Sequence, residues 1–175
     1  MTTSANPGTV DRDTFQRLMA RFPAGVAVVT ALDAEGQPHG LTTTAISSVS
    51  LDPPLLLVCI DRKSRTLPAI LEAGRFAVNL LSAGQARVAH HFASKTDDKF
   101  AALNWTKSQG GTPILEEYSA AWAECRTHQE IEAGDHLVLI AEVTHAYTPH
   151  DADNTLIYAQ RRFGQWSTLD TLSMP

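Results

Sequence analysis

Short apolar runs separated by turn residues dominate the chain, and most of them carry the β-branched content or the two-residue alternation of strands. Residues 24–32 are rich in Val and end at Asp33-Ala34-Glu35-Gly36, which predicts a strand, a tight turn and a second strand from Gln37. Residues 40–60 run from a hydroxyl-rich half into an apolar one, and Asp52-Pro53-Pro54 between the halves blocks a helix and starts a strand over 55–60. Residues 76–81 are another strand. Over 118–131, Ala121, Ala123, Cys125 and Thr127 alternate with Trp122, Glu124, Arg126 and His128. Glu132-Ala133-Gly134-Asp135-His136 then turns the chain into a long strand over 137–146, so 122–146 is an antiparallel hairpin. Residues 156–158 form a further strand before Arg161-Arg162-Phe163-Gly164-Gln165-Trp166.

Helical spacing is confined to three places. Asp11 or Asp13 caps a short helix over 14–21 that sets Phe15, Leu18, Met19 and Phe22 on one face and stops at Pro23. A second helix opens from the polar loop Asp61-Arg62-Lys63-Ser64-Arg65-Thr66 and runs to about Glu72, and a third follows Ser82-Ala83-Gly84 over 85–92. Residues 105–117, with Gly110-Gly111-Thr112-Pro113, are an irregular excursion. Many strands, short turns and few helices predict a mainly β fold, a closed antiparallel barrel rather than a doubly wound sheet. No Rossmann fingerprint and no internal repeat occurs.

With 175 residues, the chain fits one domain over 12–167 between a polar tail at 1–11 and another at 168–175. A net charge of -5 without any Lys/Arg block argues against a nucleic-acid partner, and an anionic ligand must be held by local groups. The N-terminal stretch lacks the apolar core of a signal peptide and no apolar run approaches 18 residues, so no membrane association and a cytoplasmic location are expected. Cys59 and Cys125 are too far apart in sequence for close zinc-site spacing and are expected to be buried thiols. Adjacent His90 and His91 would point about 100° apart on a helix, so no metal site is expected.

Two stretches carry candidate chemistry. Before Asp52, residues 40–51 place six hydroxyls, Thr42, Thr43, Thr44, Ser47, Ser48 and Ser50, beside Leu41, Ala45, Ile46 and Val49 with no charge among them. That lining suits a flat neutral heterocycle bearing a phosphate; it also suits a half-exposed strand tiled with good strand formers. At the start of the second helix, free backbone donors beside Arg62, Lys63, Ser64, Arg65 and Thr66 read either as an anion site or as an N-cap beside a solvated basic loop. Phe92-Ala93-Ser94-Lys95 either closes over a flat ring and offers Lys95 to a phosphate, or puts Phe92 in the core and Lys95 in water.

In order and spacing, Phe22-Pro23-Ala24-Gly25-Val26, Gly40-Leu41-Thr42, Ser47-Ser48-Val49-Ser50-Leu51-Asp52-Pro53-Pro54, Cys59-Ile60-Asp61 with Ser64, and Gly134-Asp135-His136 resemble the signature of the short-chain flavin reductases. These are the NAD(P)H:flavin oxidoreductase components of two-component flavin monooxygenases, and the likeness spans about residues 15–166. It implies an FMN-binding split barrel with Greek-key topology, built as a homodimer whose subunits both shape each flavin site. It implies FAD or FMN as flavin, NADH or NADPH as hydride donor, and delivery of reduced flavin to a separate monooxygenase.

Carried over by position, the flavin ring and ribityl chain would lie along Thr42, Thr43, Thr44, Ala45, Ser47 and Ser48. The phosphate would meet Ser64, Arg65, Thr66 and Lys95, with Cys59, Asp61, Phe92 and Ala93 as the remaining wall. His136, on the turn made by Gly134 and Asp135, would orient the nicotinamide, bordered by Tyr158 and Phe163. Many relatives carry Asn or Ser where Thr44 stands and an aromatic ring where Ile46 stands, so backbone contacts there are the ones expected to persist. Two other functions share the pocket: a flavin-binding module without turnover, and a split-barrel flavin oxidase, which the scarcity of C-terminal arginines beyond Arg161-Arg162 disfavours.

Overall fold

The computed structural model describes residues 8–149 and 154–165. The tail residues 1–7 and 168–175, and Trp166, lie outside the described residues. In chain order the elements are α1 (Arg12–Met19), β1 (Ala24–Gly25), β2 (Ala27–Leu32), β3 (Pro38–Thr43), β4 (Ile46–Leu51), β5 (Pro54–Asp61), α2 (Leu67–Ala73) and β6 (Arg75–Leu81). There follow α3 (Ala86–Ala93), β7 (Thr106–Lys107), β8 (Pro113–Ile114), a 3-10 turn (Glu116–Tyr118), β9 (Ser119–Ala133), β10 (His136–Tyr147), β11 (Leu156–Ala159) and β12 (Arg162–Gln165).

Seven strands pair in the order β3-β2-β6-β9-β10-β5-β4, every neighbour antiparallel. Laid flat, such a sheet would be about 29 Å wide at the usual strand spacing. Yet β3 and β4, its two edges, are joined by only Thr44 and Ala45, a link that reaches about 11 Å at most. The sheet must therefore curl into a barrel whose seam lies at this link. The amide of Cys59 donates to the carbonyl of Ala45 at 2.9 Å and holds the seam against β5.

Strand parity sorts the core into two clusters. Ala27, Val29 and Ala31 point into the barrel with Val58, Ile60, Phe76, Val78 and Leu139, and Leu67, Ala69 and Ile70 of α2 pack into that cluster. Val26 and Val28 point the other way, onto Val88, Ala89 and Phe92 of α3 and onto Phe100 and Leu115. The excursion after α3 is pinned by buried polar groups. Asn79 donates to the Val28 carbonyl and accepts from the Leu115 amide at 2.8 Å. Glu124, only 4% exposed, accepts from the Thr112 hydroxyl at 2.7 Å and from the Ser108 hydroxyl.

Three expectations change. The single strand over 24–32 breaks at Val26, because Ala24 and Gly25 pair with β11 in a separate three-stranded sheet while Ala27 onward joins the barrel. Inside the irregular 105–117 excursion, β7 and β8 form a two-stranded ladder. Helix α1 begins at Arg12, capped by Asp11, whose carboxylate accepts from the Thr14 amide at 2.9 Å. Among the described residues its apolar face is left largely uncovered: Phe15 is 53%, Leu18 64%, Met19 47% and Phe22 66% exposed.

Candidate functional site

The barrel seam opens into a groove. One lobe, of ≈ 750 Å³, lies between the ends of β3 and β5, the loop before α2 and the end of α3. A second lobe, of ≈ 680 Å³, extends past β1 toward the β11–β12 hairpin. Thr42, Thr43, Cys59, Ala93 and His136 belong to both, so the lobes are one continuous cleft with a neutral floor. Volumes of this order suit a cofactor-sized ligand.

The floor is rigid because its hydroxyls are partly spent on the fold. Thr42 Oγ1 donates to the Ala89 carbonyl at 2.7 Å, tying β3 to α3, and Thr43 Oγ1 accepts from the Ala45 amide at 3.0 Å across the seam. Thr44 and Ala45 border the second lobe. Ser47 and Ser48 do not line these two lobes. They sit on β4 beyond the seam, where Ser47 lines a hollow beneath α1 that shares Thr44, Ala45, Cys59, Tyr158 and Arg161 with the second lobe, and both line another at the barrel's open end. The hydroxyl row from Thr42 to Ser48 therefore turns at the seam: Thr42 to Thr44 line the cleft, Ser47 its extension beneath α1, and Ser48 a separate hollow.

Cys59 is half-buried on the floor, not fully buried as its apolar strand suggested, because the seam leaves one side of β5 open; Cys125 is buried. Burial raises the Cys59 thiol above its ordinary value. Asp61 is exposed at the end of β5 and accepts from the Lys63 amide at 2.8 Å, shaping the loop that carries Ser64, Arg65 and Thr66 into the first lobe. Phe92 is a core residue, 1% exposed, so of its two roles it takes the structural one while still backing the lobe. Ala93 and Lys95 are exposed along the first lobe.

Arg65 is not free for an anion. Its guanidinium is paired with Asp97 and donates to the carbonyls of Lys95 at 2.6 Å and Thr96 at 3.0 Å, so it staples two loops at the lobe's end. Lys63, expected beside the anion site, and Ser94 also line this lobe, and so does Lys99, which had no role assigned from the sequence. Lys99 Nζ donates to the carbonyls of Phe92 at 2.6 Å and Gly40 at 3.2 Å. Burial, and then the charge of Arg65, lower its affinity for a proton. Asp97-Asp98-Lys99-Phe100 resembles the family's segment after the third helix without a role for Lys99, which reaches the cleft because Phe100 turns inward beside it.

His136 begins β10 opposite Asp61 of β5, at the junction of the two lobes. The turn before it needs Gly134, whose φ is 63°, a left-handed value. His136 Nδ1 lies 2.7 Å from Asp135 Oδ1, an arrangement in which Nδ1–H donates to the carboxylate and Nε2 is left as the uncommitted ring nitrogen. The same hydrogen bond, and then the His136 charge, hold the Asp135 carboxyl below its ordinary value. Tyr158 and Phe163, with ring centroids 5.2 Å apart, wall the second lobe, and His90 stands edge-on to Phe163 at 4.9 Å. His91 faces elsewhere, 2.8 Å from the Lys99 carbonyl. Among the described residues no cluster of metal-ligating side chains occurs.

The cleft thus has a cationic, hydroxyl-bearing end, a neutral floor of threonine, thiol and methyl groups, and an aromatic end beyond a histidine. That donor set fits a flavin laid with its phosphate toward Ser64 and Lys95, with room for a second ring beside His136.

The chain resembles known proteins along most of its length. Residues 19–167 match the model of the flavin reductase like domain. The chain is 44% identical over 161 residues to an NADH flavin reductase of Kitasatospora aureofaciens, covering 91% of this chain and 84% of that one. It superposes with a TM-score of 0.85 at 34% identity on nitrilotriacetate monooxygenase component B of Mycobacterium thermoresistibile, covering 90% and 87% of the two chains. Against the NADH:FAD oxidoreductase of Streptomyces globisporus, solved with NAD and FAD fragments, the TM-score is 0.85 at 32% identity, with 91% and 95% covered.

Proposed function

This chain belongs to the flavin reductase-like family, and from that premise we infer that it transfers hydride from NADH or NADPH to FAD or FMN and releases the reduced flavin to a separate monooxygenase. The observation that carries the reading is the continuous cleft in which a neutral floor joins a cationic lobe to the His136 lobe. Hydride exchange is chemistry that the two rings supply when both are bound. The chain's part is to hold, orient and exclude water.

Ser64, Thr66, Lys63 and Lys95 receive the flavin phosphate, while Arg65, neutralised by Asp97, fixes the shape of that end. Thr42, Thr43, Thr44, Ala45, Cys59 and Ala93 form the surface on which the flavin ring rests. His136, held by Asp135, orients the nicotinamide carboxamide, and Tyr158 and Phe163 shield that ring from water. Positioning of this kind accounts for catalysis without any general base.

The exposed apolar face of α1 supports a homodimer. It borders a hollow of ≈ 680 Å³ lined by Phe15, Met19, Phe22, Ile46 and Leu57, and a second copy would cover it. Free Cys59 and Cys125 suit a reducing cytoplasm. Among the described residues no helix is long and apolar enough to cross a membrane.

Anaerobic stopped-flow tests the activity. Purified protein is expected to bleach FAD or FMN with NADH or NADPH far faster than the uncatalysed mixture. Flavin retained through gel filtration with no nicotinamide oxidation would replace this reading with that of a flavin carrier.

A further inference from the structure

The cationic lobe of the cleft is closed at its far end. Arg65 reaches from the loop before α2 to the segment after α3, where its guanidinium pairs with Asp97 and donates to the carbonyls of Lys95 at 2.6 Å and Thr96 at 3.0 Å. One planar fork thus meets acceptors on three consecutive residues, a geometry that an ammonium does not copy. Behind this bridge, among the described residues, lies a hollow of ≈ 100 Å³ with His39, Gly40, Thr66 and Lys99 in its lining. Ligand pockets begin near about 300 Å³, so the cleft ends at the bridge instead of continuing beneath it.

The other cations of this lobe lack counter-charges. Among the described residues Lys63, Lys95 and Lys99 enter no ion pair. The one carboxylate in the lining, that of Asp61, stands in register with His136, toward the second lobe. Lys99 is held in place by two neutral carbonyls, those of Phe92 and Gly40. Burial, and then the charge of Arg65, weaken its hold on the proton, and an anion beside it would reverse that. Ser64 and Thr66 add hydroxyls to the same lining. A closed end of this composition suits a terminal phosphate, which carries close to two charges at neutral pH, whereas a phosphodiester carries one and must let its chain pass on.

We propose that the bridge between Arg65 and Asp97 makes this cleft selective for FMN over FAD, because it blocks the exit that the adenylyl half of FAD needs. The proposal rests on the assignment of the first lobe to the flavin phosphate and narrows that assignment to one flavin. FAD enters with its adenosine diverted over the bridge into water, where it gains no burial, or with the bridge broken. The Asp97 side chain is 95% exposed, so breaking the bridge costs little and the selectivity is moderate. Arg65 and Asp97 set specificity by shaping the end of the cleft, without touching the reacting ring.

Titration of FMN, FAD and riboflavin into the purified, flavin-free protein measures the selectivity. FMN is expected to bind about fivefold or more tightly than FAD, and roughly tenfold or more tightly than riboflavin, which has no phosphate. Arg65→Ala is expected to bring FAD to within about twofold of FMN, while FMN affinity itself changes by less than about threefold because the guanidinium is already neutralised. Arg65→Lys keeps the charge without the fork and is expected to move the ratio the same way. Between about pH 5 and 7 FMN gains its second phosphate charge and FAD gains none, so the ratio should widen. FAD bound as tightly as FMN by the wild-type protein, a ratio unmoved in both variants, riboflavin bound as tightly as FMN, or FMN binding lost in Arg65→Ala would each overturn the proposal. Flavins bound in the expected ratio but never reduced by NADH or NADPH would overturn the functional reading and leave this one standing.

Discussion

Gly40 of β3 lies against the Phe92 ring of α3, and replacing it with alanine puts a number on how tightly the base of the cleft is packed. A β-carbon there would sit 2.6 Å from Phe92 Cε1, 2.8 Å from Cδ1 and 3.3 Å from Phe100 Cζ. Carbon atoms in contact prefer about 3.5–4.0 Å, so the Phe92 ring must retreat by roughly 1 Å. It has nowhere to go: Phe92 is 1% exposed and packs edge-on against Phe100 at 5.1 Å, which in turn packs on Trp105 at 5.8 Å. Overpacking of this kind costs about 1–3 kcal/mol, and removing a glycine from a strand returns about 0.5–1 kcal/mol.

A net loss of about 1–2 kcal/mol corresponds to a Tm lowered by roughly 2–8 °C for a chain of this size. The same displacement strains the Thr42 bond to Ala89 and the Lys99 bond to the Gly40 carbonyl, so FMN affinity should fall severalfold. Calorimetry on Gly40→Ala, Phe92→Leu and the double variant isolates the cause. The smaller leucine makes room, so the double variant is expected to be more stable than the sum of the single losses by about 1 kcal/mol or more. Strict additivity, or a neutral Gly40→Ala, would refute the close packing of α3 on β3.

His136→Ala is expected to lower kcat/KM for NADH on the order of 10–100-fold while FMN binding stays nearly intact, as loss of orientation does; lost flavin binding would show that His136 serves the flavin instead. Burial, with Glu124 adding, pushes the Cys125 thiol up to about 12, so alkylation at neutral pH should reach Cys59 alone, slowly, and FMN should protect it; mass spectrometry finding Cys125 modified first would contradict the site. Hydrogen bonds from His39 and His136 hold Asp33 and Asp135 below the ordinary 3.8, so the stability they contribute is complete above roughly pH 4 and is lost as the pH falls through their lowered values. Asp33→Asn and Asp135→Asn should each flatten the acid limb of Tm against pH, and an unaltered limb would refute the pairing.

The local pattern of this chain determined its strands, its two long hairpins and the Gly134-Asp135-His136 turn, because alternation and turn chemistry act over a few residues at a time. Asp11 as the cap of α1, and the polar loop that brings Ser64 and Thr66 to the start of α2, were legible for the same reason. What depended on contacts between distant segments was not. Ser47 and Ser48 look continuous with Thr42–Thr44, yet the seam turns Ser47 into the adjoining hollow beneath α1 and carries Ser48 to another one, since no local rule says that the edges of the sheet meet between Thr43 and Ile46. Glu124 sits where alternation allows an exposed charge, and the 105–117 excursion folds back to bury it under Ser108 and Thr112. Phe15, Leu18, Met19 and Phe22 have the spacing of a core helix and remain in the open, because among the described residues no element packs over them. Lys99 and Arg161 reach the cleft only through tertiary placement, one beside an inward-turning phenylalanine and the other at the strained apex of a hairpin anchored to the end of α1.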